Sequence, residues 1–329
     1  MTCEETEYER RVRAEIDDWE NRPPGALAKA LVKVTKPVAK LAASTASKLP
    51  ADVIETIQKA VLGVLEGAND LARMTYSDQK ILKEAQALGI EVGSIAELAE
   101  VDLEKLDRLS AQQIMSNKLM AAVEGAITGA GGFAGIAVDI PVVIGVSLRV
   151  TQQIGESYGF DMSEPMMRHV ALRALSLGTA GTAGSKAIAL TEMEVLGTML
   201  RAGWTYERMA AHSQLGAAIK ALKAATKHLP REISKQVTKR VLVKAVPVLS
   251  VGVGAAFNYW LISSTAFSAR MLFRKLYLER KYPTHLADII DIPPEPDEVA
   301  PPAESAPASD GTAAPASDDV RSGDDSEVA

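Results

Sequence analysis

The chain has 329 residues, 47% of them hydrophobic and only 5% aromatic, with 36 Lys and Arg against 42 Asp and Glu. That length suits one large domain or two ordinary ones, and the single cysteine, Cys3, excludes a disulfide framework and any cysteine-based zinc or iron–sulfur site. Eleven of the acids follow Ile290 with only Arg321 against them, so that segment carries −10; taken from the overall −6, it leaves +4 on residues 1–290.

The opening residues, 1–13, are charged where an export signal is apolar, which points to a cytoplasmic protein. Residues 1–22 read as a charged helix closed by Pro23-Pro24. Beyond them Val53, Ile54, Ile57, Val61, Val64 and Leu65 recur at steps of three and four, with Glu55, Lys59 and Glu66 off that stripe. This is an amphipathic helix with one buried face. Gly89, Gly159 and Gly178 stand where helices are expected to end, and Ser163 before Glu164-Pro165 reads as an N-cap with proline in the first turn.

Three apolar, glycine-rich stretches follow. Between Lys118 and Arg149 the charges are Glu124 and Asp139, and the pieces 125–138 and 140–148 are each shorter than the ~20 residues that a spanning helix requires. They read as a helical hairpin that packs in a core or dips into a bilayer. Ala121, Gly125 and Gly129 share one face, where a second helix backbone can come close. Gly178, Gly181 and Gly184 form a shorter run. Residues 245–269 carry no charge, but Pro247, Gly252, Gly254 and Asn258 suit a buried helix of a large core better than a spanning one. If Glu124 and Asp139 are buried they need partners, and Arg149 and Lys244 are candidates by charge.

From Lys220 to Lys244 there are eight bases against the one acid Glu232. Lys220, Lys223, Lys227, Arg231, Lys235 and Lys239 fall within an arc of about 160° at ~100° per residue, and Lys244 continues the series. Ile219, Leu222, Leu229, Ile233, Val237 and Val241 lie opposite, on one helix or on two interrupted at Pro230. A basic face of this kind suits an anionic membrane surface. A second basic group, Arg270, Arg274, Lys275, Arg280 and Lys281, has Tyr259, Trp260 and Tyr277 near it as interfacial anchors. Few aromatics interleave with the lysines, so nucleic acid is not the expected partner.

Catalytic and metal signatures are absent from the sequence. His169, His212, His228 and His285 form neither His-x-His nor His-Glu-x-x-His, and no phosphate loop or Gly-x-Ser-x-Gly elbow occurs. No metal and no cofactor is expected, and the reading is non-enzymatic. The alternatives are a soluble helical adaptor for a protein partner, and a hydrolase acting at the membrane through Glu124 or Asp139. From Pro293 on, seven of the sixteen prolines mix with Ala, Ser, Asp and Glu, a composition that cannot bury enough apolar surface to order itself.

The expected architecture is all-α: one large helical domain with glycine-rich apolar helices over residues 23–290, preceded by the charged helix of residues 1–22 and followed by a disordered acidic tail over 291–329. The string Glu124-Gly125, Gly129, Gly132, Gly135, Asp139-Ile140-Pro141, Leu148-Arg149 and Tyr158-Gly159-Phe160-Asp161 resembles the EcsC family. So does a second block, Lys244, Pro247, Gly252, Gly254, Asn258, Ala269-Arg270 and Phe273-Arg274, and the Trp19-Glu20 pair resembles the family's opening. The resemblance covers roughly residues 8–282. It implies a helical, membrane-linked protein, connected to transport or envelope maintenance, with no catalytic residues to carry over.

Overall fold

The computed structural model describes residues 4–22, 51–128, 132–180, 183–202, 211, 216–241 and 250–282. Among them there are helices and no strand. In chain order these are α1 (Glu7–Asn21), α2 (Ala51–Met74), α3 (Asp78–Ala87), a 3-10 turn (Ala96–Glu100), α4 (Leu103–Thr128) and α5 (Gly132–Ser157). Then come α6 (Pro165–Ala180), α7 (Ala183–Ala202), α8 (Gly216–Val241) and α9 (Ser250–Lys281). The chain divides into two units, residues 1–291 and residues 292–329, and the second lies outside the described residues.

The 32-residue helix α9 is the axis of the core, packed by α1, α4, α5, α6 and α7, while α2 and α8 pack on each other and on α5 and α6. Leu261, Ile262, Ala266, Ala269, Leu272, Phe273, Leu276 and Leu278 bury almost all of their surface on several sides of α9. A helix apolar all round belongs in the middle of a bundle, which is where the uncharged run that begins at residue 245 leads. Among the described residues no helix is long and apolar enough to cross a membrane. Val61 and Leu65 of the first predicted stripe are fully buried, and Glu55, Lys59 and Glu66 are exposed, as the periodicity of α2 requires.

Two of the three glycine stops are correct. Gly89 and Gly159 have φ of +73° and +75°. At both sites the glycine amide reaches back to residue i−3 and the next amide to residue i−5, which closes the helix with a left-handed residue: Gly89 to Gln86 and Ile90 to Ala85, then Gly159 to Glu156 and Phe160 to Gly155. The two sites differ in space. A Cβ at Gly89 meets nothing within 4 Å, whereas one at Gly159 falls 2.4 Å from the Ala99 nitrogen. Gly159→Ala is therefore expected to cost about 3 kcal/mol, from the positive φ plus overpacking, and Gly89→Ala about 1 kcal/mol, from φ alone. Urea unfolding of the two variants measures the difference.

Gly178 is not a stop. It lies inside α6, where a Cβ would come within 2.8 Å of the Thr265 backbone, and its carbonyl accepts the Ser264 hydroxyl at 2.9 Å. Its missing side chain lets α6 and α9 touch, a use that a list of helix ends does not distinguish from capping. Ser163 is displaced in the same way: α6 begins at Pro165, and Ser163 donates its hydroxyl to Asp161 Oδ1 at 2.6 Å instead of capping. The basic segment is one helix, α8, with Pro230 inside it.

Candidate functional site

Helix α8 turns Leu222, Leu229, Ile233 and Val237 into the core, and Lys220, Lys223, Lys227, Arg231 and Lys235 are exposed on its other side. Ser234 ties the helix to α2 by donating to the Gln58 carbonyl at 2.9 Å. Five exposed bases thus lie along a helix whose apolar side is already occupied. Among the described side chains of α8, the large apolar ones are all turned into the core. Lys239 falls within α8, but its side chain, and the whole of Lys244, lie outside the described residues.

The second basic group has a different fate from the one its spacing suggests. Arg274 is buried and makes a two-pronged pair with buried Asp107 of α4, Nε to Oδ1 at 2.8 Å and Nη2 to Oδ2 at 2.5 Å, and its Nη1 reaches Glu15 at 2.9 Å. Arg270 lies 3.6 Å from the same Asp107. Lys275 donates to Glu20 and Glu194, each at 2.7 Å, and Lys281 to Glu9 at 2.9 Å. Arg280 donates to the carbonyls of Tyr158 and Gly159. These bases hold the bundle together, and Tyr277, read as an interfacial anchor, is buried with its hydroxyl on the Val101 carbonyl at 2.7 Å. Trp260 is half-buried, and Tyr259 alone of the three is exposed.

Asp107 is the focus of this network. The Tyr158 hydroxyl donates to Oδ1 and the Tyr8 hydroxyl to Oδ2, both at 2.5 Å, so three helices, α1, α4 and α9, and the turn that follows α5 converge on this carboxylate. Burial pushes the Asp107 carboxyl up, but the hydrogen bonds and charge of Arg274, with the charge of Arg270 and the Tyr158 hydroxyl, outweigh it and hold the group below the ordinary carboxylate range. The tyrosines respond in the opposite sense. Burial and the Asp107 charge raise Tyr158, and burial with the Asp107 hydrogen bond carries Tyr8 to about 12.

Helix α1 is fixed by similar chemistry. Thr6 and Glu9 form a reciprocal capping box, and the Glu9 carboxylate also takes Lys281 and the Tyr282 hydroxyl at 2.8 Å. At its other end Lys186 of α7 donates to the carbonyls of Trp19 and Arg22. Burial opposes ionisation of Glu9, but the Lys281, Thr6 and Tyr282 contacts win and take it from 4.5 to about 2. A carboxyl depressed by folding adds stability that is complete above the unfolded value and is lost as pH falls through the folded one. The hold on α1 is thus expected to weaken between pH 4.5 and about 2. Hydrogen exchange of the α1 amides reports it, and Glu9→Gln should flatten the dependence.

A second buried cluster joins α6, α7 and α8. His169 places Nε2 at 2.8 Å from Glu192 and Nδ1 at 2.7 Å from the Thr226 hydroxyl, and Arg173 grips both Glu192 oxygens. Burial raises the Glu192 carboxyl, but these partners hold it below the usual range. The cluster pins α8 to the core through Thr226.

Of the signature positions, Tyr158 and Gly159 enter the Asp107 network and the turn beside it, and Asn258 is buried on α9. Arg149 is half-buried on α5 with no hydrogen-bond partner for Nε. Glu124 and Gly125 fall in α4 and Asp139 and Pro141 in α5, but their side chains, and all of Gly129, lie outside the described residues, as does any pairing of Glu124 or Asp139. Among the described residues no cluster of His, Cys, Asp or Glu can hold a metal ion.

Asp107 and Tyr8 are the residues that sequence reasoning missed. The signal was present in α4, where Asp107, Ser110, Gln113 and Asn117 follow Leu103 and Leu106 at helical spacing. All four are buried, so a polar stripe runs down a core-facing side, with Asn117 Nδ2 donating to Gln153 Oε1 of α5 at 2.6 Å.

Over 95 residues, 29% of its length, the chain is 33% identical to the protein called "Uncharacterized protein YdbA" of Bacillus subtilis (strain 168). The matched region spans 35% of that relative's length. No solved structure matches. The model of the EcsC protein family matches residues 10–278, which takes in Tyr8's neighbours on α1, Asp107, the Tyr158-Gly159 turn and the paired arginines of α9, and the chain belongs to that family.

Proposed function

We propose that the protein binds an anionic lipid surface peripherally, through the exposed bases of α8, and acts at the cytoplasmic side as a binding rather than a catalytic protein. The observation that carries this reading is the contrast between the two basic groups. Arg270, Arg274, Lys275 and Lys281 of α9 lie against Asp107, Glu15, Glu20, Glu194 and Glu9, and Arg280 is on backbone carbonyls, whereas Lys220, Lys223, Lys227, Arg231 and Lys235 are exposed along one helix. Near an anionic surface each Lys or Arg contributes about 1 kcal/mol, and the attraction fades within a Debye length. With Leu222, Leu229, Ile233 and Val237 buried, the large apolar side chains described on this helix add nothing that resists salt.

Sedimentation of the full chain with vesicles tests the reading. Vesicles of phosphatidylglycerol and phosphatidylcholine should carry the protein down at ~0.01 M ionic strength, where the Debye length is ~30 Å, and release it at ~1 M, where it is ~3 Å. Equal sedimentation with pure phosphatidylcholine, or retention at the higher salt, would overturn it.

A further inference from the structure

Helix α1 carries the opposite charge to the bundle it lies on. Residues 1–22 hold eight acids and four bases, or −4, so with +4 on residues 1–290 the remainder, residues 23–290, carries +8. Three of those acids reach bases of α9: Glu9 accepts from Lys281 at 2.9 Å, Glu15 from Arg274 at 2.9 Å and Glu20 from Lys275 at 2.7 Å. Arg270, Arg274, Lys275 and Lys281 together carry +4, and among the described residues the acids paired with them from outside α1 are Asp107, Glu194 and Glu279, which leave +1. Glu9, Glu15 and Glu20 turn that +1 into −2. The docking of α1 therefore reverses the sign of this face.

The hold on α1 is mostly polar. Val12 and Ile16 are its buried aliphatic residues, with Tyr8 and Trp19 half-buried against the core. The other contacts are the three carboxylates, the Tyr8 hydroxyl on Asp107, the Tyr282 hydroxyl on Glu9, and Lys186 of α7 on the carbonyls of Trp19 and Arg22. The Glu15 side chain is 48% exposed and that of Glu20 20%, so both pairs are open to competing ions. An element with few buried apolar contacts opens more readily than the core beneath it. The bundle is also equipped for its departure. Arg274 keeps its two-pronged pair with Asp107, Lys275 keeps Glu194, and Lys281 is partly exposed even with α1 in place.

We propose that α1 is an autoinhibitory strap, whose carboxylates occupy the bases of α9 until an anionic lipid surface displaces them and takes Arg270, Lys275 and Lys281 as a second contact. This rests on the reading of anionic lipid as the partner and adds the regulation of that attachment. A ligand shifts a two-state equilibrium only by its differential affinity for the two states. Here the difference is a face that is negative with α1 docked and positive with it released.

The test compares two triple variants of the full chain. In one, Glu9→Gln, Glu15→Gln and Glu20→Gln remove the carboxylates that hold the strap; in the other, Glu7→Gln, Asp17→Asn and Asp18→Asn neutralise three exposed acids of the same helix. Long-range attraction to an anionic surface rises alike in both, so release of α1 is what separates them. Phosphatidylglycerol vesicles are expected to bind the first variant about tenfold or more tighter than the second. The same three substitutions should restore part of the vesicle binding to a chain with Lys223, Lys227, Arg231 and Lys235 replaced by Glu. In the unmodified chain these vesicles should speed hydrogen exchange across α1 and not across α9, and phosphatidylcholine vesicles should change neither. That measurement needs no substitution, so a folding defect in a variant does not obscure it. Equal affinity of the two triple variants, or vesicle-bound chains in which α1 exchanges no faster, overturns the strap and leaves α8 as the lipid surface. No vesicle binding by any of these chains overturns both.

Discussion

Replacing Asp107 by Ala is expected to destabilise the protein by about 3–5 kcal/mol, the cost of removing one partner of a buried pair and leaving the other charge uncompensated. Arg274 would stay buried with only the exposed Glu15 as counter-ion, and the hydroxyls of Tyr8 and Tyr158 would lose the acceptor they share. Since total stability is only ~5–15 kcal/mol, the variant should be partly unfolded under mild conditions. The damage comes from isolating a charge and not from the loss of an attractive pair. The double variant Asp107→Leu with Arg274→Met should therefore be the more stable of the two, as apolar replacement of a whole buried pair is often neutral. Urea unfolding of both, followed by circular dichroism, decides it. A loss below ~1 kcal/mol in Asp107→Ala would mean that the network is not the keystone its geometry suggests.

How much of this was legible in the sequence depends on what each residue had to reveal. The helical class, the stripe of α2, the buried run of α9 and the outward bases of α8 were readable, because periodicity reports burial directly. The stops at Gly89 and Gly159 were readable because a left-handed residue after a helix strongly favours glycine. Gly178 was misread because the same residue serves close packing, and only the position of Thr265 opposite it distinguishes the two uses.

The bases of α9 were misread for a related reason. Arg274, Lys275 and Lys281 look like a surface patch until Glu15, Glu20 and Glu9, more than 250 residues away in sequence, are brought against them by the docking of α1, and Arg270 until Asp107 of α4 is placed beside it. Charge patterning along one segment carries no information about acids supplied by another. Asp107 was missed because a single acid in a helix is ordinarily a solvated one, and its place on a core-facing stripe shows only when Ser110, Gln113 and Asn117 are read with it.

This redistribution of charge is what concentrates the expected lipid contact on α8. The net positive charge of residues 1–290 is small, and the bases of α9 add little to the surface field because acids of the same bundle are paired with them. Buried Leu229 and Ile233 and the Thr226–His169 contact hold α8 in place, so its bases form a fixed row rather than a segment that refolds on contact. A fixed row retains its geometry when its charges are changed, which makes charge reversal an unusually direct test.

The measurement is the affinity of the full chain for phosphatidylglycerol vesicles with Lys223, Lys227, Arg231 and Lys235 all replaced by Glu. All four are exposed, so the fold should be unaffected. At about 1 kcal/mol for each base, their loss alone amounts to about 4 kcal/mol, or close to a 1,000-fold weakening, before the added repulsion. Replacement of the same four by Gln should fall between that variant and the unmodified protein. Vesicle binding that disappears in the Glu variant, with helicity and urea midpoint retained, is the predicted result; affinity within a few-fold of the unmodified chain would contradict the assignment of α8 as the lipid-facing surface.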